Sequence, residues 1–349
     1  MSKPASTPFI HTLINDLGAA AMLPNIMLGE ELVGLYRAMA DGQPVTAQTL
    51  ATRTGCNARL LREWLNAHAA SGYMQHNDEH FSLDEQQAQA LAHEDSATYI
   101  AGGTQAIASM VLDKDKLVAA MRGDGGLAWG DHHACMFGGV ERLFRPGYRN
   151  HLVGSWLPAL EGVVDKLHAG ARVADIGCGL GTSTLLMAEA FAASHFDGID
   201  YHAPSVATAG QRARDSGLTE RVRFTQASAK DYPGRDYDLV CFFDCLHDLG
   251  DPVGAARHAW QALKPGGTLL LVEPFSNDRL DDNLNPVGRL FYAVSTFLCT
   301  PNSLSQEVGL GLGAQAGEAR IRGVLEAAGF SHMRRACETP FNLILEARK

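Results

Sequence analysis

Several things are scarce in this chain. No apolar run reaches the length needed to cross a bilayer, and the N-terminus lacks the charged-then-apolar pattern of a secretory signal. Both absences predict a cytoplasmic protein that does not enter membranes. Charged residues are only 19 % of the total and apolar residues are 46 %, which excludes general disorder and leaves ample material for a core. Positive charge is outweighed: the net charge of −10 argues against a broad nucleic-acid footprint. The 7 cysteines are scattered and contain no Cys-x-x-Cys pair, so reduced thiols are expected. His132, His133 and Cys135 are close together, but no second ligand group accompanies them, and no metal is expected. No internal repeat or low-complexity tract is present. A length of 349 residues suggests two domains, or one with additions.

What is present concentrates at residues 173–181, Val-Ala-Asp-Ile-Gly-Cys-Gly-Leu-Gly. An apolar strand runs into a loop with glycine at every second position, and Thr182–Phe191 reads as the following helix. A backbone without side chains can approach a ligand closely, and a helix N-terminus adds aligned N–H donors. Two ligands compete for such a loop. The dinucleotide fingerprint Gly-x-Gly-x-x-Gly aims N–H groups at a pyrophosphate. Here the third glycine comes one residue early, Thr182 holds its place, and Asp175 precedes the first glycine. A carboxylate there suits a cation better than a phosphate. S-adenosylmethionine, with an ammonium, a sulfonium and no phosphate, fits the pattern Asp-x-Gly-x-Gly-x-Gly better.

Before that loop the chain is of a different kind. Residues 8–41 have the spacing of a helix, with Leu13, Leu17, Met22, Leu28, Leu32 and Leu35 as its apolar positions. Thr46 is placed to cap a helix running to Thr52. A second helix over 58–71 carries Leu60, Leu61, Trp64 and Leu65 on its inner side, and Gly72 stops it. Residues 73–75 and 80–83 read as a hairpin around Asn77-Asp78-Glu79. Helix, turn, helix and hairpin make a winged helix. Between residues 30 and 100 it holds Arg37, Arg53, Arg59 and Arg62 against ten acidic side chains, a net of −6. Such a surface repels phosphates, so a protein–protein role, a homodimer interface, is expected and a nucleic-acid role is not.

Residues 96–165 read as helices around a glycine-rich loop at 123–126, with an amphipathic helix from Trp156 to Leu167 ending at Gly170. Strands are expected at 171–176, 196–200, 221–226, 237–243 and 268–273, alternating with helices. That alternation means an α/β fold with a parallel sheet covered on both faces. Residues 278–317 break the rhythm. A helix at 318–328 and strands at 332–338 and 341–347 follow. The expected domains are therefore a helical and winged-helix dimerisation domain over 1–95, a helical linker over 96–165, and a ligand-binding domain over 166–349 with a lid insertion at 278–317.

In an open α/β sheet the ligand sits at the C-terminal strand ends. Asp200 ends strand two, where a carboxylate can accept both ribose hydroxyls. Gln226 to Lys230 follow strand three as an adenine edge, Phe242 to Asp248 follow strand four, and Glu273-Pro274 close strand five.

This ordered set resembles the class I S-adenosylmethionine-dependent methyltransferases over residues 165–275, including the turn Leu263-Lys264-Pro265-Gly266-Gly267. With the winged helix it looks like the small-molecule methyltransferases with a dimerising N-terminal domain, among them plant phenolic O-methyltransferases and bacterial natural-product enzymes. A bacterial winged-helix subgroup shows similar stretches at 145–160, 242–255 and 283–320. The resemblance implies a Rossmann-like seven-stranded sheet, S-adenosylmethionine as cofactor, and a homodimer whose N-terminal domain helps close the partner's substrate site. It implies cofactor contacts from Asp175, Gly177, Cys178, Gly179, Gly181, Asp200, Tyr201, Ser228, Ala229, Lys230, Phe243 and Asp244. His247 in Leu246-His247-Asp248 matches the plant enzymes' catalytic histidine, Glu273 the glutamate that holds it, and Glu318, with Glu307 as alternative, a second flanking carboxylate. Two departures stand out: Ser228 replaces the usual aspartate beside adenine, and Leu249 replaces a tryptophan.

The chemistry stands without the family. A hydroxyl is a weak nucleophile at pH 7, and a neutral imidazole can take its proton while a carboxylate fixes the tautomer. Asp248 reads equally as a helix cap. His132, His133, Phe137, Phe144, Tyr148, Leu290, Phe291, Tyr292, Phe297 and Cys299 are candidates for the substrate pocket, and Gly309, Gly311 and Gly313 for a lid hinge. The expected function is methyl transfer to a small-molecule hydroxyl. An amine or thiol acceptor, a non-catalytic cofactor-sensing regulator and an NAD-dependent dehydrogenase are the alternatives.

Overall fold

The computed structural model describes residues 9–123 and 125–349. They gather in two units. One comprises the residues up to Ser109 together with Ala134–Pro146, and the other comprises Met110–His133 and Gly147–Lys349. The segment 96–165, expected as one connecting block, is thus shared between them.

In the first unit the winged helix forms as its caps dictate. The Thr46 hydroxyl accepts the N–H of Thr49 at 3.1 Å and starts the helix Ala47–Thr54, and Gly55 ends it at φ +72°. Asn57 accepts from Arg59 and Leu60 N–H and starts Ala58–Ala70. Strands β1 (Gln75–Asn77) and β2 (His80–Ser82) pair antiparallel, with His76 opposite Phe81. Leu50, Leu61, Trp64, Leu65, Met74 and Phe81 close the core. Leu60 is a correction: it is 70 % exposed. The inner stripe follows Leu61, Trp64, Leu65 and His68, and Leu60 lies a hundred degrees off it.

The expected helix over 8–41 is also revised. It runs as Phe9–Met27, widens into a π-helical turn at Leu28–Leu32, and breaks at Gly34, φ +75°. Its apolar stripe faces outward: Phe9, Ile10, Ile14 and Leu17 are all more than half exposed.

The second unit is built on a seven-stranded sheet. Its strands are β3 (Arg172–Ile176), β4 (His195–Asp200), β5 (Val222–Gln226), β6 (Tyr237–Phe243), β7 (Leu263–Pro274), β8 (His332–Glu338) and β9 (Asn342–Arg348), in the order β5-β4-β3-β6-β7-β9-β8. β9 runs antiparallel to its neighbours, and β3 to β7 are parallel. Alternation along the strands fills both faces. Val240, Phe242, Leu269 and Leu271 pack with the helices Pro252–Ala262 and Glu318–Ala328. Leu239, Cys241, Leu270 and Val272 pack on the other face with Trp156, Leu167, Leu185 and Met187. The chain leaves β3 toward β4 and β5 and returns to β6 on β3's other side. The crevice at this switch point opens at the C-terminal strand ends.

Two further expectations change here. The helix expected over 156–167 is interrupted, because Tyr148–Trp156 is a π-helical stretch and Gly162, at φ +67°, separates it from the helix Val163–Ala169. Residues 278–317 are more regular than their composition suggests, with helices at Pro286–Phe297 and Cys299–Leu304. No described helix is long and apolar enough to cross a membrane.

One buried histidine ties the first unit's stability to pH. His68 Nδ1–H donates to the Trp64 carbonyl at 2.8 Å, and Nε2 accepts from the Tyr36 hydroxyl at 2.7 Å. Burial pushes its pKa down to about 4. Between the ordinary value near 6.5 and this folded value, the unfolded chain binds the extra proton. Stability therefore falls as pH drops across that window, by about 3 kcal/mol at most, and levels off below it. Urea unfolding at pH 7 and pH 5 is expected to show a smaller loss in His68→Gln than in the native chain. An equal loss would place the pH dependence elsewhere.

Candidate active site

The glycine loop after β3 has the geometry its residues demand. Gly177 and Gly181 adopt φ +72° and +82°, and a Cβ would meet the Cys245 sulfur at the first and the Phe224 ring at the second, both at 2.7 Å. Four of the loop's N–H groups are committed to the protein. Gly177 and Cys178 donate to the Ile199 carbonyl, Gly179 to Asp200 Oδ2 at 2.9 Å, and Gly181 to the Cys178 carbonyl. The loop therefore does not offer these donors to a pyrophosphate. What it offers is acceptors. Asp175 Oδ2 takes hydrogen bonds from Ser183 and Thr184, both at 2.6 Å, while Oδ1 is buried with no hydrogen-bond partner. Burial raises this carboxyl to about 6. An uncompensated buried oxygen costs about 1–3 kcal/mol and calls for a cationic or donor group.

Asp200 ends β4. Its carboxylate accepts from Gly179 and, at 2.8 Å, from His202 N–H, and burial raises its pKa. Tyr201 beside it is 44 % exposed. After β5, Ser228 Oγ accepts the Lys230 N–H at 3.1 Å, and Ala229 lies half-buried between them. The Lys230 ammonium pairs with Glu307 at 2.7 Å and lies 3.7 Å from Asp251, so it turns away from the role of an adenine contact.

The end of β6 bends sharply, and Asp244 adopts φ +50°. Its carboxyl accepts from the Tyr148 hydroxyl at 2.9 Å and from Asn342 Nδ2 at 3.0 Å. Burial, with Glu273 adding to it, pushes Asp244 up to about 8. The Phe243 side chain, expected at the cofactor, is instead core and packs against Tyr148.

His247 follows in the single turn Leu246–Asp248. It is 4 % exposed, and its Nδ1 lies 2.5 Å from Glu273 Oε2 at the end of β7. Glu273 Oε1 accepts the Leu246 N–H at 3.0 Å, so one buried carboxylate fixes both the ring and the turn that carries it. Nε2 lies 3.0 Å from Asp248 Oδ1, an oxygen with no aligned hydrogen bond. Burial alone lowers the His247 pKa; Asp248 and then Glu273 reverse this and hold it well above its usual value. The Cys299 thiol joins them, with one ligand-type atom from each of His247, Asp248 and Cys299 within 4.8 Å of the others.

The segment 299–313 straps this turn. Asn302 and Gln306 donate to the Asp248 carbonyl, Ser303 to that of Leu249, Leu310 to that of Gly250 and Gly313 to that of His247. The backbone N–H of Trp129 donates to Asn302 in turn. His132 is buried, with Nδ1 3.2 Å from Asp113 and Nε2 without a hydrogen-bond partner. Burial lowers its pKa, against the Asp113 carboxylate, which acts to raise it. His133 is exposed and gives its N–H to Asp113. Phe291 is buried, Phe297 is half-buried, and Tyr292 faces solvent.

Two expectations are corrected. Both carboxylate oxygens of Glu318 are held by Arg322 and Arg335, so the second carboxylate at His247 is Asp248. The alternative Glu307 is taken by Lys230. Asp248 does not cap the next helix; Asp251 does, accepting the Gly254 N–H at 2.8 Å. Sequence reasoning missed the Asn342–Asp244 bond and Asp113 behind His132. Asp113 lies nineteen residues from its partner and carries no local signal.

Two segments of the chain match known protein families. Residues 174–269 match a model described as a methyltransferase domain, and residues 20–93 match the Rv2258c-like winged HTH domain. The wheat (Triticum aestivum) phosphoethanolamine N-methyltransferase 1 is 32 % identical over 38 % of this chain and 26 % of its own length. The 27-O-demethylrifamycin SV methyltransferase of Amycolatopsis mediterranei is 36 % identical over 30 % of this chain and 39 % of its own. The chain thus spans well under half of these relatives. In fold it resembles human N-acetylserotonin methyltransferase, solved with S-adenosylmethionine, over 99 % of both chains at a TM-score of 0.69 and 17 % identity. Residues 174–269 thus carry a methyltransferase domain and residues 20–93 a winged helix-turn-helix domain.

Proposed function

We propose that this protein is an S-adenosylmethionine-dependent methyltransferase acting on a small-molecule hydroxyl. The observation that carries this reading is His247, held between Glu273 and Asp248 at the strand ends beside the glycine loop. The residues fit the cofactor. The unpartnered Asp175 Oδ1 suits a cationic ammonium, Asp200 suits ribose hydroxyls, and Gly179 leaves open space where a side chain would stand. Tyr201, Ser228 and Ala229 border the nucleoside end. Bound there, S-adenosylmethionine supplies an electrophilic methyl group.

The chain's own groups handle the proton. His247 Nε2 takes the acceptor hydroxyl's proton as the oxygen becomes nucleophilic. Glu273 is a positioning residue, since it fixes Nδ1 as donor and stabilises the imidazolium that results. His132, held at Nδ1 by Asp113 and unpartnered at its buried Nε2, is assigned in this reading to orienting the acceptor. Tyr148 acts through Asp244, and Phe291 and Phe297 supply apolar wall. The relatives' names include N- and O-methyltransferases, so the domain alone does not select the acceptor atom. The buried base favours a hydroxyl, because a neutral amine attacks with its lone pair and a thiol ionises more readily.

The first unit serves assembly in this reading. The outward stripe Phe9, Ile10, Leu13, Ile14 and Leu17 suits a second copy of the chain.

Three measurements test the proposal. Titration is expected to show binding of S-adenosylhomocysteine and none of NADH, with Asp200→Ala weakening it about ten- to a hundredfold and lowering thermal stability modestly through the unpaired Gly179 and His202 N–H groups. His247→Ala is expected to lower turnover on a responsive acceptor, found by screening metabolite extracts with methyl-labelled cofactor, by about 10²- to 10⁴-fold at near-native cofactor affinity. Unchanged turnover would remove the base. In sedimentation the native chain is expected as a dimer and Ile14→Asp/Leu17→Asp as a monomer. A native monomer would remove the assembly role.

A further inference from the structure

We infer that His247, Asp248 and Cys299 form a binding site for one zinc(II) ion, and that filling it silences the acceptor end of the pocket. The three side chains are buried and offer an imidazole nitrogen, a carboxylate oxygen and a thiol sulfur within 4.8 Å of one another. Nitrogen, oxygen and sulfur donors in that number are the usual set for zinc with one position left open. Tetrahedral bonds of about 2.0–2.3 Å keep ligand atoms about 3.3–3.8 Å apart, so a small rotation of the Cys299 side chain closes the site.

A second observation points to a metal. Glu273 accepts from His247 Nδ1 at 2.5 Å, which directs Nε2 toward Asp248 and Cys299. A metal-binding histidine characteristically gives its other ring N–H to a carboxylate, which sets its orientation and raises its basicity. Asp248 Oδ1, buried and without an aligned hydrogen bond, is a ready third donor. The strap bonds from Asn302 and Gln306 to the Asp248 carbonyl hold the two ligand segments together, so binding requires little reorganisation. The Cys299 thiol releases its proton on binding, and the neutral imidazole binds through Nε2. The ion then occupies the lone pair with which His247 accepts the hydroxyl proton.

The site is that of the proposed reaction, but its affinity for zinc does not depend on that reaction. The test therefore uses the full chain without cofactor or acceptor. Titration with zinc(II) is expected to reach one equivalent, and cobalt(II) in its place is expected to give a thiolate-to-metal charge-transfer band. Cys299→Ser is expected to lose the band and bind zinc at least about tenfold more weakly, and Asp248→Asn to weaken binding while keeping the band. S-adenosylhomocysteine binding, measured in parallel, reports on the fold of each variant and separately on the methyltransferase reading. Zinc is expected to stop methyl transfer by the native chain and not by Cys299→Ser. Native affinity in Cys299→Ser, or no cobalt–thiolate band in the native chain, would overturn the inference.

Discussion

The site depends on one buried carboxylate. Glu273 is 1 % exposed, and an ionised group at that depth survives only when its oxygens are matched by donors. It has two: the His247 ring and the Leu246 N–H. The first sets which imidazole nitrogen carries the proton, and the second sets the turn. The position of Glu273 is in turn fixed by β7, whose Leu269–Val272 segment is buried on both faces of the sheet and paired with β6 and β9. The Glu273–His247 geometry is thus a continuation of the hydrophobic sheet, ending where the apolar run stops.

A second constraint operates at the glycine loop. Its N–H groups turn inward to Ile199, Asp200 and Cys178, so the loop presents carboxylates where a dinucleotide site presents amides. A difference of one residue in glycine spacing becomes a reversal in the sign of the ligand preferred.

Much of this was legible in the sequence, for physical reasons that differ by element. The parallel strands announced themselves as continuous apolar runs, and the caps Thr46 and Asn57 and the stop at Gly72 are local signals with local causes. Glu273 and His247 were readable because each stands at a strand end. The failures are just as specific. Leu13 and Leu17 have helical spacing, but periodicity reveals a stripe and not what covers it. Gly162 broke a helix whose flanking residues suggested continuity. Glu318 lost its expected place because Arg322 and Arg335, one turn and one strand away, capture both its oxygens. Long-range charge pairing leaves no trace in a linear pattern.

The strap over the His247 turn couples two properties often treated separately. Five hydrogen bonds run from residues 302–313 to the carbonyls of His247, Asp248, Leu249 and Gly250. The residues of the strap and the turn that carries His247 therefore share one free energy of ordering. Ordering of the strap and orientation of the His247 ring are thus one property of the chain rather than two.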